Sequence, residues 1–233
     1  NLIQEFVIRR EKREVLTDLP PFSRHLERFT LEVDQSLKDA YNHELDLLEE
    51  LLNSGKWSTI DGLGHLTKLR RIEGICKIGA CVERVNEFLE NTDDEKIAIG
   101  IHHIAVRDGL FHALAKWNPL KLSGEDSPEQ KHRIQELFND PNSGHRVLIV
   151  NILAGGTGLN LQKSCANCII LERQWSFVDE KQFEDRFDRN GQTKPVTADY
   201  LVAKNFVDDY FSTMVEEKRT RFLDTVGAKD DVE

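Results

Sequence analysis

The sequence predicts an α/β fold, in which a parallel sheet is covered by helices and is preceded by a helical extension. Two observations predict it. After residue 95, short apolar runs such as KIAIGI, VLIV and CIIL alternate with helical segments, a pattern typical of parallel strands joined by helices. Before residue 95, apolar residues recur mostly at helical spacing. The chain therefore divides near residue 95 into a helical part and an α/β part.

The composition suits one sizeable globular domain, or one domain with a helical annex. The chain has 233 residues, of which 39% are hydrophobic and 31% charged. No apolar run approaches the roughly 18 residues that a membrane span requires. The segment Asn1–Glu5 contains neither a start methionine nor a basic leader. We therefore expect a piece of a longer intracellular protein without a membrane partner.

The net charge, taken alone, argues against a nucleic-acid partner. The 41 acidic residues outnumber the 31 basic ones, for a formal net charge of -10, whereas phosphate-binding domains are usually basic. A nucleic-acid contact would depend on a local patch such as Arg9–Arg13 or Lys68–Arg71. Charge alone favours a solvated helix face for both patches.

Helices dominate the predicted structure of the first 94 residues. Apolar residues fall at helical spacing in three stretches: Leu37, Tyr41, Leu45, Leu48, Leu51 and Leu52; Leu66, Leu69 and Ile72; Val82, Val85 and Leu89. A Leu-Pro-Pro turn at 19–21 and an Asn-Ser-Gly loop at 53–55 interrupt them. These breaks separate the predicted helices of the extension.

Strands and helices alternate from residue 95 onward. In order, the runs are KIAIGI, VRDGLFHALAKW, SPEQKHRIQELF, VLIV, CIIL, FVDEKQFEDRFDR, VTADYLV and a long final helix. Ser127 supplies a helix N-cap, Pro128 the first turn, and Gln130 the partner of a capping box. Ligands of parallel sheets bind at the carboxyl ends of the strands, so we expect the site in the loops after VLIV and CIIL.

The four cysteines fall in two pairs, Cys76 with Cys81 and Cys165 with Cys168. The second pair has the C-x-x-C spacing of zinc and redox sites. The first pair is spaced too widely to supply a second half-site, and the second leads directly into an apolar strand. Buried structural thiols are therefore favoured over zinc or redox chemistry, and we expect no metal site in the chain.

The loop after VLIV is rich in glycine. Residues 154–161, AGGTGLNL, leave backbone N–H groups uncovered at the end of a buried strand, where they can meet a phosphate. No Gly-Lys-Ser/Thr follows, and the G-x-G-x-x-G spacing is absent, so the loop is neither a P-loop nor a dinucleotide-binding turn. Taken alone, this loop is equally consistent with a phosphate contact and with a tight strand-to-helix turn.

The combination of this loop with QFEDRFDRNGQ, residues 182–192, is specific. The residues that carry the resemblance are AGGTGLNL, Trp175, Gln182, Asp185, Arg186, Arg189, Gly191 and Gln192. They resemble motifs V and VI of the Swi/Snf-type ATPases, a branch of the superfamily-two helicases. FVIRREKREVLTDLPP resembles the segment that joins the two motor lobes, and LSGEDSPEQKHRIQELFND the stretch between motifs IV and V. LTKLRRIEGICKIGACVERVNEFL with KIAIGIHH is similar to the annealing-helicase subfamily.

The resemblance implies a C-terminal RecA-like lobe, a parallel sheet with helices on both faces. It implies an inter-lobe linker at 1–26, a helical extension at 27–94, and the lobe with its C-terminal helix at 95–233. In such motors ATP with Mg is bound mainly by the first lobe, whose Walker A lysine and DExH acids are absent from this sequence. The implied partners are that first lobe and double-stranded or branched DNA. The implied location is intracellular and DNA-associated: the nucleus in a eukaryote, or the cytoplasm or nucleoid for a bacterial or viral protein.

The resemblance also assigns residue roles. Arg186 and Arg189 would act as catalytic arginine fingers. The nucleotide-binding residues would be Gln182, Gly158, Asp185 and Gln192, and the DNA-binding residues His102, His103, Gly155, Gly156, Thr157 and Asn160. The implied function is the second lobe of an ATP-dependent duplex-DNA translocase, acting in annealing, fork or nucleoprotein remodelling and inactive alone. An unwinding DNA or RNA helicase lobe and a non-catalytic nucleotide-sensing scaffold are the alternatives.

The two arginines also permit a purely structural interpretation. Gln182, Arg186 and Arg189 are spaced by four and three, so they share one face of a predicted helix. Asp185 precedes Arg189 by four residues, and the two can form a surface ion pair of roughly 0.2–0.5 kcal/mol. The family commonly has histidine where this chain has Asp188. A carboxylate at that position can tie down a phosphate-facing arginine or repel nucleotide.

Overall fold

The structure is a computed structural model that describes residues 12–54, 58–154 and 158–226. Within these ranges the strands are β1 (Phe22–Phe29), β2 (Ile97–Ile101), β3 (Leu120–Leu122), β4 (Val147–Asn151), β5 (Asn167–Ile170) and β6 (Val196–Ala203). The helices are α1 (Lys12–Val15), α2 (Gln35–Asn53), α3 (Thr59–Cys76), α4 (Ile78–Glu90), α5 (Ile104–Ala113), α6 (Pro128–Asn139), α7 (Phe177–Glu184) and α8 (Val207–Val226). None of these described helices is long and apolar enough to cross a membrane.

The six strands form one parallel sheet in the order β1-β6-β5-β2-β4-β3. The central strand β2 pairs with β4 and β5, so that Ile97 lies opposite both Val147 and Asn167. All five residues of β2 are buried, which explains its continuous apolar run. The predicted α/β fold with a parallel sheet is confirmed, and the carboxyl ends of all six strands meet at one edge.

Two hydrophobic clusters cover opposite faces of the sheet. Ala98 belongs to one cluster, together with Phe138 of α6 and Phe183 of α7. Its neighbours Ile97 and Ile99 belong to the other, together with side chains of α4 and α5. Successive residues of a strand point to opposite faces. The predicted cover of helices on both faces is therefore confirmed.

The helical extension packs onto the rest of the chain. α2 and α3 pack around Tyr41, Leu48 and Leu69, and α4 contributes a buried face to the sheet's core. Strand β1 crosses the predicted linker boundary at residue 26, and its whole length pairs with Val196–Ala203. The domain limits themselves remain a prediction.

The predicted capping box of α6 is confirmed. Ser127 Oγ accepts the backbone N–H of Gln130 at 3.2 Å, and Gln130 Oε1 accepts the backbone N–H of Ser127 at 2.7 Å. Pro128 takes the first helical position, where an N–H donor has no partner within the helix. The capping box fixes the N-terminal end of α6, and the C-terminal end of the helix, at Asn139, contacts the glycine-rich loop.

The cysteines of the C-x-x-C pair lie in the core. Cys165 and Cys168 are each 2% exposed, and Cys165 Sγ donates to the carbonyl oxygen of Lys96 at 3.2 Å. Burial raises the pKa of Cys165 to about 12, so this thiol is neutral at physiological pH. These positions agree with packed structural thiols.

The predicted basic patch Lys68–Arg71 is not a uniformly solvated helix face. Arg70 is only 8% exposed. Its guanidinium donates to the carbonyl oxygen of Arg173 and lies 4.4 Å from the centre of the Phe211 ring. The solvated interpretation is wrong for Arg70, because α3 packs against α8 at this position.

Candidate functional site

The loop after β2 carries two predicted DNA contacts, His102 and His103, and one carboxylate fixes it. Glu172, which follows β5, is 4% exposed. Its Oε2 accepts the backbone N–H groups of His102 at 2.7 Å and His103 at 2.9 Å, and its Oε1 lies 2.6 Å from His103 Nδ1. Burial opposes ionisation of Glu172, but the hydrogen bonds outweigh it and lower its pKa. The ionised carboxylate therefore holds the loop.

Neighbouring elements support the same loop. Asn151 Nδ2, at the end of β4, donates to the carbonyl oxygen of His102 at 2.7 Å. Helix α3 approaches Glu172 closely at Gly74, where an added Cβ would lie 2.6 Å from Glu172 Oε1. Burial and the charge of Arg70 lower the pKa of His102, which favours its neutral ring. The histidine loop is thus rigidly placed at the carboxyl edge of the sheet.

The glycine-rich loop after β4 is described in part. Three predicted DNA contacts lie outside the described residues: Gly155, Gly156 and Thr157. Gly158 is exposed and has a φ of 66°, in the left-handed region that favours glycine. Asn160 is fixed by α6, because its N–H donates to Gln135 Oε1 at 2.7 Å and its carbonyl oxygen accepts from Asn139 Nδ2 at 2.9 Å.

Helix α7 ends at Glu184, before both predicted arginine fingers. Arg186 and Arg189 lie in the turns that follow, so the prediction that they share one helix face with Gln182 is wrong. The backbone tightens there to hydrogen bonds between residues three apart, from the N–H of Arg186 to the carbonyl oxygen of Phe183 at 3.1 Å and from the N–H of Phe187 to that of Glu184 at 2.9 Å. Lys12 Nζ donates to the carbonyl oxygen of Asp188 at 2.9 Å, and Gln192 Nε2 to that of Phe187 at 3.1 Å. These side-chain contacts hold the turns after α7 in place.

The two arginines nevertheless line one pocket with several other predicted residues. The pocket measures about 440 Å³, and its lining comprises Lys12, Leu16, Gln182, Asp185, Arg186, Asp188 and Arg189. The structure therefore brings both predicted fingers together with the predicted nucleotide-binding residues Gln182 and Asp185. We call this space the arginine pocket.

Both arginines contact the glycine-rich loop. Arg189 donates through one NH1 group to Asn160 Oδ1 at 2.8 Å. Arg186 is 9% exposed, and its single described hydrogen bond, from NH1 to the carbonyl oxygen of Leu159, is 3.4 Å long. Its buried Nε has no hydrogen-bond partner within the described ranges. Burial and the neighbouring charge of Arg189 lower the pKa of Arg186, although a guanidinium stays protonated at physiological pH.

The carboxylates of the arginine pocket bind the chain's first described helix. Lys12 Nζ pairs with Asp185 and, at 3.1 Å, with Asp188 Oδ2, while Arg13 NH2 pairs with Asp188 Oδ1 at 3.3 Å. Burial disfavours the charge of Lys12, but the two carboxylates outweigh it and raise its pKa. The expected Asp185–Arg189 ion pair is therefore not formed, because Lys12 takes the carboxylate. Asp188 likewise pairs with Lys12 and Arg13 and not with the predicted phosphate-facing Arg189.

The sequence is similar to those of helicase-like ATPases. It is 30% identical over 223 residues to the human DNA annealing helicase and endonuclease ZRANB3, over 93% of this chain and 20% of that protein. It is 29% identical over 230 residues to an uncharacterized ATP-dependent helicase of Mycoplasma pneumoniae, over 92% and 22% of the two chains. No family model matches the chain.

Solved structures share the fold. The C-terminal part of the Fun30 ATPase domain matches with a TM-score of 0.72 at 17% identity, over 84% of this chain and 89% of that one. The Sulfolobus solfataricus SWI2/SNF2 ATPase core in complex with dsDNA matches with a TM-score of 0.69 at 22% identity, over 99% and 52%. This chain has the RecA-like fold of these SWI2/SNF2-type C-terminal domains. It spans about a fifth of the length of the curated relatives it matches.

Like Gly158, the predicted nucleotide-binding residue Gln192 lies outside the lining of the arginine pocket. It is 7% exposed. Its Nε2 donates to the carbonyl oxygens of Cys165 at 3.0 Å and Phe187 at 3.1 Å, and its Oε1 accepts the N–H groups of Thr193 and Lys194. The amide of Gln192 is thus used in holding the turn after the arginines.

Sequence reasoning missed two residues that shape the site of this lobe. Glu172 was detectable, since an acidic residue directly follows the apolar run CIIL where a parallel strand ends. Lys12 was not, because it is 173 residues from Asp185 and stands in a charged run that is typical of a solvated helix. Only the folded chain brings it into the arginine pocket.

Proposed function

We propose that this lobe is the second half of an ATP-driven duplex-DNA translocase, in which Arg186 and Arg189 act as arginine fingers. The observation that carries the proposal is the under-bonded state of Arg186. Its guanidinium is nine-tenths buried, its Nε has no partner among the described residues, and it lines an open pocket. A buried N–H group without an acceptor is unfavourable unless a ligand supplies that acceptor.

Phosphate oxygens are suitable acceptors for this site. A guanidinium is planar and permanently charged, and its N–H groups fork onto the oxygens of a phosphoryl group. Closure of the first lobe, with ATP bound, would bring those oxygens to Arg186 and Arg189. Charge that develops on the transferring phosphoryl group would then be stabilised only in the closed motor.

ATP with Mg would be bound mainly by the first lobe. The sequence has no G-x-x-x-x-G-K-[ST] motif to cradle phosphates, and the described ranges contain no cluster of three His, Cys, Asp or Glu side chains able to hold a metal ion. Gln182 and Asp185 are the residues of this lobe that would adjoin the nucleotide. We therefore expect the isolated chain to show no DNA-stimulated phosphate release.

The proposed DNA track follows the carboxyl edge of the sheet. His102 and His103 lie in a loop at that edge, and Asn160 lies farther along the loop after β4, where it bonds to Gln135 and Asn139 of α6. Backbone contacts to phosphates suit a chain whose net charge is -10. The solved Sulfolobus core was obtained with dsDNA. The isolated lobe should bind duplex weakly, and more weakly as salt rises, because phosphate contacts release counterions. Such partners imply an intracellular, DNA-associated protein.

The alternatives are an unwinding helicase lobe and a non-catalytic scaffold lobe. The form Gly-Gly-Thr-Gly-Leu-Asn-Leu and the spacing Arg-x-x-Arg-x-Gly-Gln favour the Swi/Snf branch over the RNA helicases. Translocation without strand separation, measured by displacement of a triplex strand, distinguishes the first two functions. A scaffold lobe would support no ATP turnover when joined to its first lobe.

The decisive test compares arginine variants in the two-lobed protein. Arg186→Ala and Arg189→Lys should each lower kcat by on the order of 10³-fold or more while ATP affinity persists, because fingers bind the transition state more strongly than bound ATP. Arg189→Lys should fail because an ammonium cannot replace the fork. The matched control is Arg221→Ala, which removes an exposed arginine paired with Glu217.

The measurements are kcat, ATP affinity and melting temperature. If Arg186 and Arg189 only stabilise the fold, their variants should turn over like Arg221→Ala and differ from it in melting temperature instead. Near-normal DNA-stimulated turnover in both variants would overturn the finger assignment.

A further inference from the structure

The turns after α7 place two carboxylates among the two arginines. Asp185, Arg186, Asp188 and Arg189 all line the arginine pocket. Asp188 is 3% exposed, and a buried carboxylate without a cation is strongly unfavourable. Asp188 must therefore be neutralised by a neighbouring cation, and which cation it is determines the state of the arginines. Asp185 is more exposed and also pairs with Lys181 Nζ at 3.8 Å.

Helix α1 supplies the neutralising cations. Lys12 contacts both carboxylates and the carbonyl oxygen of Asp188, and Arg13 contacts the second oxygen of the Asp188 carboxylate. Arg13 also donates to the carbonyl oxygen of Pro20 at 2.9 Å, which ties α1 to the turn before β1. Asp188 thus has a cation at each carboxylate oxygen, and neither cation is a predicted finger.

Removal of α1 would change the electrostatics of the arginine pocket. The described lining of the arginine pocket carries three cations, Lys12 and the two arginines, and two carboxylates, so the formal charge of the lining is +1. Without Lys12 that charge is zero. Asp188 would then be buried without its partners, and the cations left in the described lining are Arg186 and Arg189. Pairing with either one would consume donors that the proposed function needs for phosphate.

We infer that docking of α1 keeps the arginine fingers available: Lys12 and Arg13 occupy the carboxylates of Asp185 and Asp188, which would otherwise pair with Arg186 and Arg189. Lys12 and Arg13 are positioning residues, since they act through the acids. The inference rests on the proposed function. It makes the segment that enters the lobe a determinant of turnover, because undocking it would convert the fingers into internal ion pairs.

The test uses the two-lobed protein with Lys12→Gln/Arg13→Gln. We expect kcat to fall on the order of 10- to 100-fold, the effect of misplacing a reacting group, while ATP affinity changes little. Adding Asp188→Asn to this double variant should restore kcat to within about threefold of Asp188→Asn alone, because the freed acid that captures an arginine is gone. Lys116→Gln, which breaks an exposed pair with Glu90, is the matched control.

A structural role for α1 gives a different result. If Lys12 and Arg13 only stabilise the fold, their loss should lower the melting temperature, and the added Asp188→Asn should not raise kcat. Unchanged kcat in the double variant, or failure of the rescue, would overturn the inference. Arg189→Lys in the same assay separates the two proposals: turnover near normal in Arg189→Lys refutes the fingers, whereas its collapse beside a fully active double variant refutes only the role of α1.

Discussion

Arg173 and Arg186 are both buried arginines of this lobe, but their hydrogen bonding differs. Arg173 is 0% exposed and donates to both carboxylate oxygens of Glu180 at 2.8 Å and to Ser212 Oγ at 2.8 Å. Burial disfavours its charge, but Glu180 outweighs this and raises its pKa. Arg186 has one 3.4 Å contact to a carbonyl oxygen and an Nε without a described partner.

The difference separates an arginine that holds the fold from one whose hydrogen bonding is incomplete. Removing Arg173 would leave Glu180, which is 0% exposed, without its bidentate partner and with the longer 3.6 Å contact of Arg219 to offset its buried charge. Removing Arg186 would leave no carboxylate unpaired, because Asp185 and Asp188 have Lys12. The same residue type therefore has opposite expected effects on stability and on turnover in the two places.

The largest expected effect on stability is that of Arg173→Met in the isolated chain. It should lower the free energy of unfolding by about 3–5 kcal/mol, since Glu180 loses its bidentate partner. Arg186→Met should change it by about 1 kcal/mol or less. Urea unfolding measures both, with the exposed Arg221→Met as control. Equal losses of unfolding free energy in Arg173→Met and Arg186→Met would contradict the proposed difference between the two arginines.

Arg24→Met extends the comparison to pH. Arg24 donates to both oxygens of Glu184, at 2.8 and 2.7 Å. Burial opposes ionisation of Glu184, but Arg24 outweighs it and lowers its pKa below the ordinary 4.5. The stability contributed by this pair is therefore present above about pH 4.5 and is lost as pH falls through the lowered pKa.

In Arg24→Met, burial would raise the pKa of Glu184 instead. The loss of unfolding free energy relative to the unsubstituted chain should be about 3 kcal/mol at pH 7. It should shrink as pH falls from the raised pKa of the variant through the lowered pKa of the unsubstituted chain, because the carboxyl is then progressively protonated. Urea unfolding at pH 7 and pH 4 tests this, with Lys116→Met as a control for an exposed pair. A loss independent of pH would contradict the assignment.

Gly74→Ala should have a smaller effect, through the carboxylate that holds the histidine loop. The new Cβ would lie 2.6 Å from Glu172 Oε1 and 2.8 Å from Val106 Cγ2. Overpacking of this kind lowers stability by roughly 1–3 kcal/mol. Gly79→Ala is the matched control, because nothing lies within 4 Å of its Cβ position, and it should be neutral or stabilising. Thermal unfolding of both variants measures the difference. Equal melting temperatures for Gly74→Ala and Gly79→Ala would contradict the prediction.

Asn160→Ala should produce the smallest of these effects, on coupling in the two-lobed protein. It removes the acceptor of the Arg189 hydrogen bond, of about 1–1.5 kcal/mol. DNA stimulation of ATP turnover should therefore fall about fivefold to tenfold, with a smaller change in basal turnover. Asn142→Ala, in an exposed turn, is the control. Unchanged DNA stimulation would remove Asn160 from the proposed DNA track.

Much of the fold was predictable, because its signals are local. The run IAIGI became a strand buried on both faces, and Ser127 with Gln130 formed the expected capping box. Such features depend on a few neighbouring residues, whose periodicity and hydrogen-bonding groups are visible in the sequence. That both arginines line one pocket was likewise predictable, because one sequence motif carries them.

The errors occurred where distant segments meet. Spacing alone predicted one helix through Arg189, but α7 ends at Glu184, and Lys12 and Gln192 bind carbonyl oxygens of the turns that follow. Spacing also predicted an Asp185–Arg189 pair that Lys12 pre-empts. Arg70 is buried by α8, which lies more than a hundred residues later. Tertiary contacts of this kind override local propensity and leave no local signal.

The parallel pairing of β1 with β6 has a consequence for synthesis of the chain. Phe22 and Val196 are partners although 174 positions separate them. At roughly 5–20 residues per second, β1 would leave the ribosome on the order of 10–35 s before its partner exists. Its ladder N–H and C=O groups stay unpaired during that interval, which exposes them to pairing with other chains. The strand that comes first in the chain therefore pairs only after the last strand has been made, and we expect the nascent lobe to be most prone to aggregation during that interval.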